Sequence, residues 1–349
     1  MKLIIKILMV AKYLLFKKIR KNSNYINWGI IGTGNMAETF GRAIDNSADG
    51  IIKAVASRTQ EKAKKFSKKH FNCIAYGSYE ELIKDKLIDI IYIATPIKQH
   101  YENIKLCLKN NKNVICEKPL TETYEQMIEL KNLAEQNKCF FMEGMWMKCL
   151  PTYQKALEWI NKGKIGKVEL IKVDFYKQEI VNTKYTIFDK NNGGGVLNDY
   201  GIYAISFPLA FIKGNVEIQG ENRISKYEID SDWQITMKSN DIKAFINISS
   251  NFKGNSGASV IGTEGSIVWE SQFNRTNKLM LFNAEGIKID SFIVKYQNEG
   301  FEYEVSEVQK CIKNRYRESK KVPLISTEKT LLIRDNLYKL NGKKFTIEL

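Results

Sequence analysis

A lysine at the end of a short apolar strand is the first residue whose type and place suggest chemistry. Residues 114–116 are Val-Ile-Cys, and Glu117, Lys118 and Pro119 follow them directly. In an open α/β sheet, ligands bind at the carboxyl ends of the strands. An ammonium group there can stabilise a developing alkoxide, and partial desolvation would lower its pKa towards that of a general acid or base. We also expect a cis Lys118–Pro119 peptide bond. A solvated loop lysine is the alternative.

A glycine-rich turn is the second candidate, because it has the spacing of a dinucleotide-binding loop. Residues 26–31 predict a buried strand, and a helix is predicted from residue 36 to about 47. The turn between them reads Gly-x-Gly-x-x-Ala, whose glycines allow close approach of a pyrophosphate to the helix N-terminus. The cofactor-binding residues predicted here are Gly32, Gly34, Asn35, Met36 and Ala37.

The residues after the second predicted strand, at 51–56, bear on which cofactor binds. A site that prefers NAD usually has Asp or Glu at this point, to bind the ribose hydroxyls. Ser57 and Arg58 stand here instead. A hydroxyl and a guanidinium can bind the 2′-phosphate that a carboxylate would repel. The pattern therefore favours NADP(H), with NAD(H) still possible, and a solvated Arg58 is the alternative.

The chain alternates short apolar strands with helices as far as residue 147. Further strands are predicted at residues 73–76, 89–94 and 139–143. Six strands separated by helices predict an α/β Rossmann fold, a doubly wound parallel sheet, over residues 26–147. Thr95 and Pro96 end one of these strands and are expected in the cofactor site with His100, Glu117 and Lys118. For His100, local hydrogen bonding is an equally good interpretation.

Composition limits the class of protein. Six scattered cysteines without a CxxC pair, and only two histidines, argue for a reduced, cytoplasmic protein and against a metal site. The net charge of +15 is uneven, because residues 1–28 hold seven basic side chains and no acidic one. The remaining charges are mixed, without an arginine cluster, so nucleic-acid binding is not expected.

Residues 1–25 form a basic amphipathic extension. Its apolar run is broken by lysines and falls short of the roughly 20 apolar residues of a spanning helix, and no signal-peptide cleavage pattern follows. At helical spacing most apolar side chains fall opposite Lys2, Lys6, Lys17 and Arg20. Residues 1–21 could therefore contact an anionic membrane surface as an interfacial helix, or pack on the body or on a second subunit.

The order of these motifs resembles the glucose–fructose oxidoreductase, inositol dehydrogenase and MocA (Gfo/Idh/MocA) family. Later segments resemble its dimeric dihydrodiol dehydrogenase-like branch. The resemblance covers about residues 26–349 and rests on residues 29–37, Ala56-Ser57-Arg58, Ala94-Thr95-Pro96 with His100, Glu117-Lys118-Pro119, and residues 143–151, 193–203, 301–304, 311–312, 318–319 and 323–324.

The resemblance implies a second, α+β domain with an open, mostly antiparallel sheet, and a homodimer. The sequence agrees, because β-branched and alternating runs bounded by turn residues lie at 168–176, 233–237, 242–248, 259–261 and 266–269. We assign residues 148–349 to this substrate and dimerisation domain, whose C-terminal helices could pack back on the first domain.

The segment after the glycines at 193–195 supplies the rest of the expected site. Asp199 and Tyr203 are four residues apart, so on one helix they share a face. The resemblance implies that Tyr203 handles the proton, since its position is often histidine in the wider family and tyrosine in this branch. We expect Lys118 to lower the pKa of the phenol, Asp199 to orient the substrate hydroxyl or the lysine, and Trp146 to wall the substrate pocket. From the residues alone, core packing of both aromatics is the alternative.

These expectations combine into an NADP(H)-dependent oxidoreductase that transfers hydride between the nicotinamide and a carbinol or carbonyl carbon of a sugar, polyol or cyclic diol. Two alternatives stay open. One is a non-catalytic NAD(P)-binding regulatory protein. The other is a sugar-processing enzyme recruited to a membrane surface by the N-terminal extension.

Overall fold

The computed structural model describes residues 25–178 and 186–349. The basic extension expected over residues 1–25 lies outside the described residues except for Tyr25, and so does the interfacial helix predicted within it. Within the two described ranges, no helix combines the length and the apolar character needed to cross a membrane. Helices and strands are numbered below along the described residues.

The first sheet is built from the six strands that the apolar runs predict. Every neighbouring pair is parallel, in the order β3-β2-β1-β4-β5-β6. This is the strand order of a dinucleotide-binding Rossmann domain, so the predicted fold class is confirmed. The strands are β1 Ile26–Ile31, β2 Gly50–Ala56, β3 Ile74–Tyr76, β4 Ile90–Ile93, β5 Asn113–Glu117 and β6 Phe141–Gly144.

Five helices cover the two faces of this sheet. Three of them begin after a hydroxyl residue, Thr59, Ser78 or Thr123, whose Oγ accepts a hydrogen bond from a first-turn backbone N–H. These caps fix where the chain leaves the edge of the sheet. The helices are α1 Asn35–Asn46, α2 Gln60–Ser67, α3 Tyr79–Lys84, α4 His100–Lys109 and α5 Tyr124–Gln136.

The second sheet has nine strands among the described residues, in the order β14-β13-β12-β11-β7-β10-β9-β8-β15. Only β7 and β10 pair in parallel, and all other neighbours are antiparallel, as expected. The strands are β7 Val168–Tyr176, β8 Asn215–Ile224, β9 Asp230–Lys238, β10 Lys243–Ser249, β11 Ala258–Gly262, β12 Gly265–Trp269, β13 Lys278–Asn283, β14 Lys288–Ile293 and β15 Lys344–Glu348.

Five further helices connect the sheets. They are α6 Trp146–Cys149, α7 Pro151–Asn161, α8 Ile202–Ser206, α9 Phe301–Lys313 and α10 Leu324–Leu340. Helix α9 packs on α1 and β1, and α10 packs on α5 and β6, so both contact the first domain. The buried guanidinium of Arg334 donates to the carbonyl oxygens of Thr121 at 3.0 Å and Glu122 at 2.7 Å. The C-terminal helices thereby hold the segment that follows Lys118.

Candidate active site

The predicted catalytic side chains meet at the carboxyl end of β5. Lys118 directly follows β5, and its peptide bond to Pro119 is cis, as predicted. Its Nζ donates to the backbone oxygen of Asp199 at 3.0 Å and to Oδ1 of that carboxylate at 2.5 Å. The same ammonium lies 5.1 Å from the ring centroid of Tyr203. Residues from both domains thus form one cluster around a single cation.

Asp199 and Tyr203 do not lie on one regular α-helix, which corrects the sequence expectation. Residues Leu197–Gly201 form a π-helical turn, and α8 begins only at Ile202. Both side chains nevertheless line the same cavity. The wider turn leaves the backbone oxygen of Asp199 available to Lys118, so the residue binds the ammonium through two oxygens. π-Helical turns are frequently found at functional sites.

A buried carboxylate from β9 holds this turn. Asp230 Oδ2 accepts hydrogen bonds from the backbone N–H of Leu197 and from the indole N–H of Trp233, both at 2.8 Å. Its Oδ1 accepts one from the hydroxyl of Tyr338, on α10, at 3.0 Å. Gly195 has a φ of +114°, and a Cβ there would lie 2.0 Å from Oδ1. The glycine therefore lets the backbone pass directly over Asp230.

The pKa of Tyr203 contradicts the expectation that Lys118 lowers it. The ring is buried, with 8% of its surface exposed. Burial, and then the nearby carboxyl groups of Glu117, Glu304 and Asp199, raise the pKa of this phenol well above its ordinary value. Desolvation and negative neighbours outweigh the single ammonium. The phenol of Tyr203 therefore keeps its proton at neutral pH.

Burial also raises the pKa of two carboxyl groups behind the cluster. Glu117 accepts a hydrogen bond from the hydroxyl of Tyr92 at 2.5 Å, and burial raises its pKa. Among the described residues, neither carboxyl oxygen of Glu304, on α9, has a hydrogen-bond partner, and both oxygens are buried. Burial, with Glu117 and Glu143 nearby, raises the pKa of Glu304 well above its ordinary value. In the sequence, Glu304 stands out only as part of residues 301–304, which resemble the family.

A cavity of about 450 Å³ lies beside the glycine turn and fits the adenosine half of a dinucleotide. Gly32 has a φ of +105°, and a Cβ there would lie 2.6 Å from the carbonyl oxygen of Ala94. A Cβ on Gly34 would meet nothing within 4 Å, so the backbone is open to a phosphate. No side chain caps the first turn of α1, and its N–H groups remain for an anion.

The same cavity carries more positive charge than the sequence prediction included. Ser57 and Arg58 line it as predicted, and Lys62 and Lys65 of α2 line it as well. Lys69 also lines it, but its ammonium pairs with Glu38 at 2.5 Å. Lys62 and Lys65 are three residues apart on α2 and so share a helix face, and this spacing was the available signal for the pair.

A second, larger cavity of about 680 Å³ shares Gly34 and Thr95 with the first. It contains Lys118, Asp199 and Tyr203, which we call the catalytic cluster after their predicted role. It also contains the other residues predicted to bind cofactor or substrate, which are Asn35, Met36, Pro96, His100, Glu117 and Trp146. Ala37 is the exception, since it is fully buried and lines neither cavity. Its small side chain serves the packing of α1 against the sheet.

His100 bridges two backbone carbonyl groups beside this cavity. Its Nδ1 lies 3.0 Å from the carbonyl oxygen of Pro119, and its Nε2 lies 2.7 Å from that of Thr95. The ring is buried, and burial lowers its pKa. His100 therefore fixes the backbone beside Lys118 through local contacts, while part of it also faces the cavity.

Trp146 forms one wall of the larger cavity, as predicted. Its ring stacks on Phe301 of α9, with centroids 4.2 Å apart and planes inclined by 19°. Opposite, Phe175 and Tyr200 stack with centroids 4.9 Å apart and planes inclined by 8°. All four rings line the cavity. The site is thus polar at Lys118 and aromatic on two sides.

The continuity of the two cavities matters for function. A dinucleotide bound at the glycine turn extends along the carboxyl edge of the sheet, and that edge leads past Thr95 to Lys118. A Rossmann domain whose cofactor edge meets an acid–base cluster built from both domains is the architecture of NAD(P)-dependent oxidoreductases acting on CH–OH groups.

Comparison with known proteins identifies the family within that class. The model of the oxidoreductase family with an NAD-binding Rossmann fold (GFO_IDH_MocA) matches residues 26–145, and the GFO/IDH/MocA C-terminal domain matches residues 153–268. The chain belongs to the Gfo/Idh/MocA oxidoreductase family.

Relatives in sequence point to one branch of this family. The chain is 30% identical over 318 residues to trans-1,2-dihydrobenzene-1,2-diol dehydrogenase of Xenopus laevis, covering 88% of this chain and 96% of that protein. It is 27% identical over 336 residues to the human enzyme of that name, covering 92% and 98%. The predicted likeness to the dihydrodiol dehydrogenase-like branch is confirmed.

Solved structures share the fold at lower identity. An NAD-binding oxidoreductase from Klebsiella pneumoniae superimposes with a TM-score of 0.84 at 18% identity, covering 94% of this chain and all of that one. Levoglucosan dehydrogenase in complex with NADH and levoglucosan gives a TM-score of 0.83 at 18% identity, covering 93% and 99%. A 3-ketoreductase from Actinomadura kijaniata with NADP and TDP-benzene gives 0.80 at 18% identity, covering 90% and 98%.

Proposed function

We propose that this protein is an NADP(H)-dependent oxidoreductase that moves hydride between the nicotinamide and a carbinol or carbonyl carbon of a sugar, polyol or cyclic diol. The observation that carries the proposal is the contact of Lys118 with Asp199 and Tyr203 in the cavity continuous with the dinucleotide site. Relatives named for a cyclic dihydrodiol, and a fold neighbour bound to levoglucosan, support this substrate range.

The division of labour follows from charge and burial. The bound nicotinamide supplies or accepts the hydride. Lys118 places positive charge beside the substrate oxygen, where negative charge develops during reduction. Asp199 anchors that ammonium through two oxygens and so fixes its direction. Tyr203, whose raised pKa keeps it protonated, donates the proton to the oxygen in the reductive direction and recovers it in the oxidative one.

The preference for NADP(H) is supported by the charge of the smaller cavity. Arg58, Lys62 and Lys65 line it, and Ser57 occupies the place where a carboxylate would bind the ribose hydroxyls of NAD. Guanidinium and ammonium groups there can pair with a 2′-phosphate. Fold neighbours bind either cofactor, so this preference rests on the residues of this chain.

The second candidate function, a regulatory protein without turnover, is disfavoured by the intact cluster. A protein that only senses the cofactor needs no ammonium held against a carboxylate next to a protonated phenol.

A homodimer in the cytoplasm belongs to our proposal, through the outward face of the second sheet, where Phe245 of β10 is 43% exposed. The alternative of recruitment to a membrane concerns residues 1–21, outside the described ranges.

Cofactor titration followed by a substrate panel tests the proposal. The affinities of NADPH and NADH are measured by fluorescence, and oxidation of polyols, sugars and cyclic diols is then followed by NADPH formation. We expect tighter binding of NADPH and turnover of at least one class of substrate. Binding of cofactor without turnover of any member, in both directions, would favour the regulatory protein instead.

A further inference from the structure

One part of the larger cavity is lined by a loop that family motifs do not reach. Residues 270–277 connect β12 to β13, and Gln272, Asn274 and Arg275 of this loop line the cavity. Lys177, which follows β7, lines the cavity as well. These four residues come from the second domain and from other segments of the chain than the proposed catalytic residues. We call the part of the cavity that they line the distal end.

The loop is a fixed part of the structure. Phe273 is buried and packs edge-on against Phe175, with centroids 5.6 Å apart, and against Phe207, at 5.4 Å. The carbonyl oxygen of Thr276 accepts hydrogen bonds from Thr152 at 3.1 Å and from Tyr296 at 2.6 Å. With both neighbours anchored, Asn274 and Arg275 are held at the cavity.

The backbone of the loop also takes an unusual path. Ser271 and Gln272 have φ values of +26° and +44°, a region that non-glycine residues rarely adopt. The backbone N–H of Arg275 closes the turn by donating to the carbonyl oxygen of Gln272 at 2.8 Å. Such backbone conformations persist where the surrounding packing enforces them, and they concentrate at ligand sites.

Charge distinguishes the distal end. Lys118 is already paired with Asp199, whereas Arg275 is exposed and makes no ion pair with any residue in the part of the chain that the structure describes. The ammonium of Lys177 lies 5.4 Å from the centroid of the Tyr200 ring. The side-chain oxygen of Asn274 is buried and has no hydrogen-bond partner within residues 25–178 and 186–349.

This combination selects one ligand chemistry. A guanidinium presents parallel N–H donors that match the two oxygens of a carboxylate or phosphate. A neutral cyclic diol offers Arg275 hydroxyl acceptors but no negative charge. A hydroxyl group next to an anionic group would supply the donor that Asn274 lacks.

We propose that the substrate carries a carboxylate or phosphate group remote from the reacting carbon, and that Arg275 binds this oxyanion at the distal end of the cavity. The substrate class is accordingly a sugar acid or a sugar phosphate. The inference rests on the proposed function for the reaction itself, but the subsite can be tested without turnover.

The test is calorimetric binding to the full-length protein saturated with NADP⁺, using glucose, glucuronate and glucose 6-phosphate as matched probes. We expect wild-type protein to bind at least one anionic probe about tenfold more tightly than glucose. Arg275→Met should abolish that advantage and leave glucose binding within about twofold. Arg223→Met, which removes an exposed arginine of β8 outside both cavities, is the matched control and should behave as wild type.

Each outcome decides the proposal. Equal affinity for glucose and both anionic probes, no measurable binding of either anion, or equal losses in the Arg275 and Arg223 variants would refute the subsite. Glucuronate and glucose 6-phosphate distinguish the two sources of the oxyanion. Failure of the proposed function looks different, because the anionic probes would bind through Arg275 while no hydride transfer is detected with any of them.

Discussion

The two halves of the catalytic cluster are held in place in different ways. Lys118 follows a strand whose neighbours on both sides are parallel, so backbone hydrogen bonds fix the point from which the lysine extends. Asp199 lies on the π-helical turn Leu197–Gly201, and Tyr203 follows it. The buried side chain of Asp230 holds this turn by accepting a hydrogen bond from its backbone. One half depends on secondary structure, and the other depends on a few side-chain contacts. Substitutions should therefore have local effects in the first half and geometric effects in the second.

The largest effect is expected from Lys118→Met. Loss of the ammonium removes the charge that stabilises the reacting oxygen, and kcat should fall by about 10³-fold. Because the strand end is fixed by backbone bonds, cofactor affinity should stay within about twofold of wild type. Steady-state kinetics and fluorescence titration measure the two effects. Unchanged turnover would remove Lys118 from the proposed mechanism.

The second prediction tests the half of the cluster that depends on the π-helical turn. Asp230→Ala leaves the N–H groups of Leu197 and Trp233 without their acceptor, at a cost of about 1 to 3 kcal/mol in the free energy of unfolding. We expect the turn to shift and kcat to fall by about 100-fold, with cofactor affinity unchanged.

Asp230→Asn is the control for that variant. Its amide oxygen can still accept from Leu197 and Trp233, so most of the activity should return. Thermal unfolding and kinetics are measured on both variants. If the alanine variant keeps its kcat, the turn does not depend on Asp230; if both variants lose kcat equally, the charge matters rather than the geometry.

A third, smaller effect concerns the cofactor cavity alone. Arg58→Ala removes one of the cations that can pair with a 2′-phosphate, and NADPH should bind about tenfold more weakly. The affinity of NADH should change by less than about twofold, since it lacks that phosphate. Equal weakening of both cofactors in a fluorescence titration would mean that Arg58 packs on a part common to both.

A fourth effect is on stability and depends on pH. Folding raises the pKa of Glu304, so the folded protein binds a proton that the unfolded chain releases above its ordinary pKa of about 4.5. Glu304 therefore destabilises the fold increasingly as pH rises from about 4.5 towards its raised pKa, by at most about 1.4 kcal/mol per pH unit.

Glu304→Gln should remove that dependence. We expect the variant to be more stable than wild type at pH 8, with the difference shrinking as pH falls to about 5. Denaturant unfolding across this range measures it. A wild type that is the more stable protein at pH 8 would show that Glu304 is ionised and paired in the fold.

The contrast between local backbone structure and contacts with distant parts of the chain also explains which elements the sequence could predict. The strands β1 and β7 begin and end at the predicted residues, because their apolar patterns and bounding turn residues are local. The strands β8, β13, β14 and β15 were not predicted. β14 is almost entirely exposed, and β15 is defined by pairing with β8 far away in the chain, so neither carries a strong apolar pattern of its own.

The site divides along similar lines. Lys118, Asp199 and Tyr203 lie in runs with recognisable spacing, and the structure brings them together. Asp230 acts on a turn 33 residues earlier in the chain, and Glu304 comes from a helix of the C-terminal region. Their roles, and the raised pKa of Tyr203, follow from burial against distant elements, which no local pattern records.

The contacts of Arg334 have a consequence for the order in which the protein is made. The carbonyl oxygen of Thr121 accepts a hydrogen bond from the guanidinium of Arg334, which comes 213 residues later in the chain. The backbone N–H of Phe141 donates to the carbonyl oxygen of Arg317. When the first six strands have been synthesised, the first domain therefore still lacks hydrogen-bond partners that come from later in the chain. Chains released before α10 lack the partners of this segment, and they should be recognised as incomplete by the proteases and chaperones that survey unfolded surfaces.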